Sequence, residues 1–291
     1  SSSGSAAAVA MEMCLAALGT QTGGSIIRPA SYCGVVGLKP DFGHPTLEGV
    51  FPFSRHLDHL GPIGRSVADA KLVQEVLYPE LQLPKRPLKK LCFLAGGFVD
   101  QADDVTQKCL AAAQEKLSVQ FTTESFPLPE YFRDVHALHR CIMAVEASDI
   151  HRECYKENPE RYSHHIRDLI EEGQGTIGHV YARALRRQAE LKSQFFGNWG
   201  NLKEPAIFVM PSTATAAPGI DSTGNPLFNS PWSFLGVPEI TIPMGVNSEG
   251  LPLGIQFITF MLSLTPAFFE AVEECETIIG FKQCPRLLSQ S

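Results

Sequence analysis

A short turn, Gly23-Gly24-Ser25, and a serine-rich opening at residues 1–5 contain the residue types that nucleophilic chemistry requires. Glycine tolerates a positive φ angle, so consecutive glycines allow the backbone to approach a ligand closely. The N–H groups of such a turn can converge on one point and bind an anion. A serine at the end of the turn could attack a carbonyl carbon while its own N–H binds the oxyanion. The alternative is an ordinary turn with no chemical role.

The pattern around this turn resembles the signature of a known enzyme family. Three segments carry the resemblance, namely SSSGSAAAVA at 1–10, LGTQTGGS at 18–25 and CGVVGLKP at 33–40. On these segments the chain resembles the amidase signature family, whose members hydrolyse amides with a Ser–cis-Ser–Lys triad. Two serine-bearing turns separated by a small apolar segment and followed by GLKP form a specific combination.

The resemblance implies a role for each serine. Ser25 corresponds to the nucleophile, and Ser1 corresponds to the bridging serine that passes a proton between the nucleophile and a lysine. The N–H groups of the turn would line the oxyanion hole, contributed by Thr22, Gly23, Gly24 and Ser25. Burial favours the neutral form of a lysine, which would allow the triad lysine to accept the proton.

The family's lysine lies upstream of the bridging serine, whereas this sequence begins inside the motif at Ser1. We therefore expect a piece of a longer protein, a single amidase signature domain over 1–291 that lacks its N-terminal portion. The implied fold is α/β, a mixed central β-sheet flanked by helices. We expect the isolated chain to be inactive, because the lysine and part of the sheet would be missing. Lys39, the one lysine near the motif, is interpreted as structural.

Two departures from the common family pattern bear on the substrate. Gln21 stands where most members carry Asp, and Arg28 follows the nucleophile by three positions instead of two. Both features resemble a subgroup that includes malonamidase, in which the arginine binds the carboxylate of the substrate. A guanidinium at Arg28 would suit a small anionic amide. The alternative is that Arg28 supports the turn by hydrogen bonding to backbone carbonyls.

The resemblance implies an amide hydrolase that releases an amine or ammonia from a small amide through a seryl acyl-enzyme, with no cofactor and no metal. Two alternatives stay open. One is the amidase-type subunit of a tRNA-dependent glutamyl amidotransferase, although that subunit generally carries Asp at the position of Gln21. The other is a non-catalytic, amidase-like protein that acts by binding.

Composition indicates a globular protein and restricts its partners. The 291 residues suit one large domain or two smaller ones, and 44% of them are hydrophobic and 19% charged. The net charge of −7 argues against nucleic-acid binding, and no apolar run is long enough for a membrane span. The eight cysteines form no CxxC pair, which predicts reduced thiols in a cytoplasmic protein. The expected partner is a small-molecule amide, and a homodimer is left open.

The elements that must position the two serines follow from the apolar pattern. Residues 5–18 are small and apolar and predict one buried helix between the serine turns. A short buried strand is expected at 33–38. Ser66 followed by Asp69 predicts the start of a helix that reaches about Leu77.

The middle of the chain predicts an α/β unit. Asp58 and Arg65 match a further family segment and are interpreted as loop anchors. The Pro- and Lys-rich residues 79–90 predict a connection. A strand, an amphipathic helix and a second strand are expected after it, at 91–94, 103–117 and 119–123.

Residues 129–200 are predicted to be mostly helical and contain no recognisable motif. Six histidines lie there, but none has the spacing of a metal ligand set, so a metal site is not expected: His136, His139, His151, His164, His165 and His179. The aromatic residues of this region could line a pocket, although aromatic side chains more often belong to a core: Phe195, Phe196 and Trp199.

The last third of the chain predicts sheet strands and one helix. A strand is expected at 206–210, and the glycines and prolines of 229–256 predict two strands around a hairpin. Residues 257–268 are mostly apolar, carry no charged residue and depart from the family pattern. The final helix is expected at 271–279.

Overall fold

The computed structural model describes residues 1–78, 87–199, 205–259 and 266–281, with only the backbone given for residue 199. Eight strands in these ranges form one β-sheet. They are β1 (Ala16–Gln21), β2 (Val36–Lys39), β3 (His59–Gly64), β4 (Lys90–Ala95), β5 (Thr122–Pro127), β6 (Ile207–Pro211), β7 (Glu239–Val246) and β8 (Pro252–Ile258). Their order in the sheet is β1-β3-β2-β7-β8-β6-β4-β5.

Helices cover both faces of this sheet. Those in the described ranges are α1 (Ser3–Ala10), α2 (Ile27–Cys33), α3 (Val67–Leu77), α4 (Asp104–Leu117), α5 (Val135–Ile150), α6 (Arg152–Glu157), α7 (His164–Gly175), α8 (Gly178–Trp199), α9 (Ser230–Leu235) and α10 (Pro266–Ile279). The expected α/β architecture, a mixed sheet flanked by helices, is confirmed, as is the helical character of the region between β5 and β6.

The sheet combines antiparallel and parallel pairs. β7 and β8 form the expected antiparallel hairpin, in which Thr241 lies opposite Gln256. β4 is parallel to β5 and to β6. The expected β-α-β unit is β4-α4-β5, in which α4 is the crossover between two parallel strands. Its second strand begins at Thr122, later than the start of the predicted range 119–123. At the start of α4 the Asp103 side chain accepts the N–H of Thr106.

The two faces of the sheet pack against different helices. In β6, Ile207 and Val209 belong to the core shared with α4 and α10. The alternate residues Phe208 and Met210 belong to the core shared with α5, α8 and α9. This alternation follows from the strand geometry, in which successive side chains point to opposite faces.

Phe195 and Phe196, two aromatic residues of α8, pack in the core. Phe195 is 1% exposed, and its ring centroid lies 6.2 Å from that of Phe132 and 6.4 Å from that of Trp232. Phe196 packs against the same core and is partly buried. The side chain of Trp199 lies outside the described residues.

The prediction of one buried helix over 5–18 is wrong. α1 ends at Ala10, and residues 16–21 form β1, an edge strand paired with β3. Only Ala6 and Val9 of α1 are buried. Small residues do not distinguish a helix from a strand by periodicity, and pairing with β3 decides the conformation. Glycine suits β1 because a Cβ at Gly19 would lie 2.9 Å from Ser2 Oγ.

The strand predicted at 33–38 starts later than expected. α2 continues to Cys33, and β2 begins at Val36. Gly34 ends the helix with a φ of 69°, a left-handed conformation that glycine adopts without steric cost.

Two helix starts can be compared with expectation. The cap of α3 is confirmed, since Ser66 Oγ accepts the N–H of Asp69 at 3.1 Å. α10 starts at Pro266, earlier than the predicted range 271–279. The connection predicted at 79–90 lies mostly outside the described residues.

The thiols described by the structure are free, namely those of Cys14, Cys33, Cys92, Cys109, Cys141, Cys154 and Cys275; Cys284 lies outside the described residues. No helix in the described ranges is both long and apolar enough to cross a lipid bilayer. Those same ranges contain no group of three or more His, Cys, Asp or Glu side chains arranged to hold a metal ion.

Candidate active site

The turn that carries Ser25 lies between the end of β1 and the start of α2. Gly23 and Gly24 are buried, while Thr22 and Ser25 are half-buried. A Cβ at position 24 would lie 2.7 Å from Asn229 Oδ1, so only glycine fits there without displacing the asparagine. The turn is therefore closely packed at Gly24 and partly exposed at Ser25.

Three main-chain donors of this turn have no acceptor in the part of the chain that the structure describes. Among the described residues, the N–H groups of Gly23, Gly24 and Ser25 donate to no acceptor, and the Ser25 hydroxyl makes no hydrogen bond. Leaving a buried donor unpaired costs about 1–3 kcal/mol, so most buried N–H groups have a partner. Three neighbouring unpaired donors beside a hydroxyl are suited to bind an anionic oxygen that forms at that point.

The carbonyl groups of the turn, in contrast, are held by side chains from distant elements. His139 Nε2, on α5, donates to Thr22 O at 2.9 Å. Ser233 Oγ, on α9, donates to Gly23 O at 3.0 Å. From the sequence, His139 is only one of six histidines considered as metal ligands, and Ser233 has no predicted role, because neither lies near the turn in sequence.

The side chain of Thr22 is anchored as well. Thr22 Oγ1 donates to Asp58 Oδ1 at 2.5 Å. Asp58 Oδ2 accepts the N–H groups of Phe53 and Ser54 at 2.7 and 2.8 Å. These contacts agree with the interpretation of Asp58 as a loop anchor and show that the loop it anchors supports the turn. Arg65, in contrast, lies 4.0 Å from Asp69 and makes a half-exposed ion pair.

Glu146 fastens α5 to the same loop. Its carboxylate accepts hydrogen bonds from Ser54 Oγ, from the N–H of His56 and from the hydroxyl of Tyr181. Burial acts to raise the pKa of Glu146, but these hydrogen bonds outweigh burial and hold that pKa below its usual value. The carboxylate is therefore ionised at neutral pH and ties α5 to the loop that supports Thr22.

The serine-rich opening lies against the turn. The N–H of Ser2 donates to Ser25 O at 2.9 Å. Ser2 Oγ accepts the N–H of Thr20 at 3.0 Å, and Ser3 Oγ donates to Ser1 Oγ at 3.3 Å. The tertiary structure thus brings residues 1–3 next to the residue predicted to be the nucleophile. Ser1 itself is exposed.

Arg28 is buried close to the turn, with 5% of its surface exposed. Its Nη1 donates to Gly224 O at 3.0 Å, and its Nη2 lies 3.5 Å from Thr223 Oγ1. Arg28 Nε has no hydrogen-bond partner among the described residues. Burial lowers the pKa of Arg28, although it stays a cation at neutral pH. The guanidinium therefore supports a backbone carbonyl and also keeps one donor unused.

Gln21 is fully buried next to the turn, and both the oxygen and the nitrogen of its side-chain amide form hydrogen bonds. Its Oε1 accepts the N–H groups of Ile26 and Ile27 at 2.9 and 3.0 Å. Its Nε2 donates to Ser233 Oγ at 3.0 Å and to Glu239 Oε1 at 2.7 Å. From the sequence, Gln21 is a departure from the family pattern that bears on the substrate. The structure gives it a direct role in holding the backbone that follows Ser25.

Lys39 and Glu239 continue this buried network. Lys39 Nζ donates to the carbonyls of Val237 and Pro40 and lies 4.0 Å from Glu239 Oε1. Burial lowers the pKa of Lys39 to about 8 and raises the pKa of Glu239 to about 8. Both side chains are fully buried, and these contacts agree with a structural interpretation of Lys39.

Burial of His139 predicts a specific pH dependence of stability. It lowers the pKa of His139 from 6.5 to about 4. Between these values the unfolded chain binds a proton that the folded chain does not, so acidification favours unfolding. We expect this histidine to contribute a loss of about 2–3 kcal/mol in the free energy of unfolding between pH 7 and pH 4.5. Denaturant unfolding of the wild type and of His139→Gln at both pH values checks this, because Gln does not titrate. Equal pH dependence in the two proteins would contradict the assignment.

Comparison with known proteins relates this chain to one protein family. The family model described as Amidase matches residues 1–90. A glutamyl-tRNA(Gln) amidotransferase subunit of Clostridium botulinum is 29% identical over 307 residues, an alignment that covers 89% of this chain and 62% of that protein. The chain therefore spans less than two thirds of the length of this curated relative.

Solved structures agree with the sequence comparisons. A crystal structure described as an amidase superimposes with a TM-score of 0.81 at 28% identity, covering 93% of this chain and 64% of that one. A second has a TM-score of 0.82 at 25% identity, covering 97% of this chain and 66% of that one. Its description is an unexpected vestigial protein complex that reveals the evolutionary origins of an s-triazine catabolic enzyme.

Proposed function

Because this chain belongs to the amidase signature family, we propose that the protein containing it hydrolyses a small amide through an acyl-enzyme on Ser25. The observation that carries the proposal is the run of unpaired N–H groups at Gly23, Gly24 and Ser25, beside a serine hydroxyl that is also unpaired among the described residues. Thr22 joins them as the first residue of the proposed oxyanion hole. A cradle of this kind stabilises the charge that develops on a carbonyl oxygen during attack.

The proposed reaction has two steps. Ser25 Oγ attacks the carbonyl carbon, and its proton passes through the Ser1 hydroxyl to a basic lysine. The carbon–nitrogen bond breaks, the proton returns to the leaving amine or ammonia, and a seryl ester remains. Water then attacks the carbonyl carbon of the ester, the bond from this carbon to Ser25 Oγ breaks, Ser25 regains a proton, and the carboxylic acid leaves. In the family the lysine lies upstream of the bridging serine, and we assign this role to no lysine of residues 1–291.

Covalent labelling of the full-length protein tests this proposal. A fluorophosphonate reacts with an activated serine and forms a stable tetrahedral phosphonyl ester. We expect mass spectrometry to find the adduct on the peptide that contains Ser25, and pre-incubation with an amide substrate to slow its formation. Amide hydrolysis by a protein whose label lies on another serine would overturn the assignment of Ser25.

Arg28 is proposed to recognise a carboxylate on the substrate through its unused donor. Arg28→Leu is then expected to raise KM about 10- to 100-fold for amides that carry a carboxylate, because a charge-assisted hydrogen bond is lost. Neutral amides of the same size serve as the control and should change little in KM. Equal effects on both classes would instead indicate that Arg28 acts only by holding Gly224.

The relative from Clostridium botulinum supports a second candidate, an amidotransferase subunit that passes ammonia to a partner. The two functions differ in what controls ammonia release. A free-standing hydrolase turns over amides by itself, whereas an amidotransferase subunit would release ammonia efficiently from glutamine only with its partner proteins and their activated acceptor. Measuring ammonia release by the isolated full-length protein separates the two.

A further inference from the structure

We propose that His139 is a positioning residue that orients the N–H of Gly23 toward the oxyanion. This inference rests on the proposed function, because it concerns the same cradle. His139 does not touch the reacting atoms. It acts through the hydrogen bond from its Nε2 to Thr22 O, whose length is 2.9 Å.

Peptide geometry connects the hydrogen bond between His139 and Thr22 to the direction of the Gly23 N–H. The Thr22 carbonyl and the Gly23 N–H belong to one planar peptide group, in which they point in opposite directions when the bond is trans. The single cis peptide bond in the described ranges is His44–Pro45, so the Thr22–Gly23 bond is trans. A donor that holds the carbonyl on one side of the turn therefore directs the N–H of Gly23 to the other side.

The turn needs such a restraint because of its composition. Gly23 and Gly24 have no Cβ, so their backbone angles are poorly restricted and this peptide group could rotate. Ser233 Oγ already holds the next carbonyl, that of Gly23, at 3.0 Å. His139 holds the preceding one. With both carbonyls fixed, neighbouring donors keep the same orientation before and during the attack, which is the condition for electrostatic preorganisation.

The helix that carries His139 is itself fixed. His139 is 3% exposed, and Glu146 lies seven residues further along α5, on the same face. Glu146 binds Ser54, whose N–H binds Asp58, and Asp58 accepts the hydroxyl of Thr22. α5 therefore contacts the turn directly through His139 and indirectly through this chain of hydrogen bonds. Burial keeps the imidazole neutral, and the neutral form with a proton on Nε2 is sufficient to donate.

Two substitutions at this position test the proposal in the full-length protein. His139→Leu removes the donor and is expected to lower kcat for amides about 10- to 100-fold with little change in KM, because the cradle acts mainly in the transition state. His139→Gln supplies an amide N–H at similar reach and is expected to stay within about threefold of the wild-type kcat. Affinity for a boronate inhibitor, which forms a tetrahedral adduct with serine, should fall in parallel with kcat.

The control is His136→Leu on the same helix. His136 Nδ1 lies 3.2 Å from Ser230 Oγ, and His136 makes no hydrogen bond to the turn within the described ranges. Its kcat should stay within about threefold of the wild type. Thermal unfolding of each variant identifies loss of fold, and His139→Met provides a second non-donor if the leucine variant is unfolded.

The outcomes separate this inference from the proposed function. If the wild type hydrolyses amides and is labelled at Ser25, but His139→Leu keeps full kcat or His139→Gln is as impaired as His139→Leu, the role of His139 is wrong. Equal losses in His136→Leu and His139→Leu would also overturn it, since they would indicate a general effect of α5. If the wild type neither hydrolyses amides nor accepts the label, the proposed function itself fails.

Discussion

Replacing Ser25 by Ala in the full-length protein is expected to reduce kcat for amide hydrolysis by about 10⁴- to 10⁶-fold. The physical reason is that the acyl-enzyme cannot form without the hydroxyl, and water must then attack the amide directly. The unpaired N–H groups of the turn stay in place, so a small residual rate and near-normal substrate binding should remain. Steady-state kinetics and the fluorophosphonate label together measure this effect.

The matched control is Ser5→Ala. Ser5 also lies in the serine-rich opening, but its hydroxyl donates to Leu18 O at 2.9 Å and makes no hydrogen bond to the turn within the described ranges. We expect this variant to lose at most a few-fold in kcat, because removing one half-exposed hydrogen bond costs about 1 kcal/mol of stability. Turnover by Ser25→Ala at the rate of Ser5→Ala would rule out Ser25 as the nucleophile.

The second large effect is expected at Gln21, beneath the turn. Gln21→Glu keeps the shape of the side chain but replaces the Nε2 donor with an oxygen beside Glu239 Oε1, which lies 2.7 Å from that position. Two buried carboxyl groups at this distance repel each other when both are ionised. We expect the free energy of unfolding at pH 8 to fall by about 3–5 kcal/mol, the range observed when a buried charge loses its partner. Denaturant unfolding provides the measurement.

A compensating substitution makes this prediction specific. In the double variant Gln21→Glu with Glu239→Gln, the donor and the acceptor exchange places, while the new carboxylate still accepts the N–H groups of Ile26 and Ile27. Most of the lost stability should return, to within about 1–2 kcal/mol of the wild type. If the double variant is as unstable as the sum of the two single variants, the hydrogen bond between these side chains is not what holds them.

The single variant Gln21→Glu should also respond to pH with a defined sign. Mutual repulsion raises the folded-state pKa of the carboxyl pair above the unfolded value, so the folded state binds more protons. Its stability relative to the wild type should therefore increase as pH falls from 8 toward 5. A relative stability that decreases over the same range would contradict the predicted contact.

Sequence alone determined the residues of the turn and the family of folds around it. The segments at 1–10, 18–25 and 33–40 predicted a serine beside a flexible glycine pair, and the structure places N–H groups there that are unpaired within the described ranges. The cap of α3, the β4-α4-β5 unit and the β7–β8 hairpin were also predictable. Each depends on residues that are close in sequence, so local conformational preference is enough to indicate it.

The wrong helix prediction and the contacts that the sequence did not predict depend instead on residues far apart in the chain. Residues 16–21 form a strand, and not a helix, because they pair with β3, and this tertiary contact overrides the helix preference of the alanines. His139 reaches Thr22 across 117 positions of sequence, and Gln21 reaches Glu239 across 218. Such partners depend on how α5, α9 and β7 pack around the turn. The sequence by itself determined which groups could react, and only the tertiary structure decided which distant side chains hold them, since that depends on packing between elements.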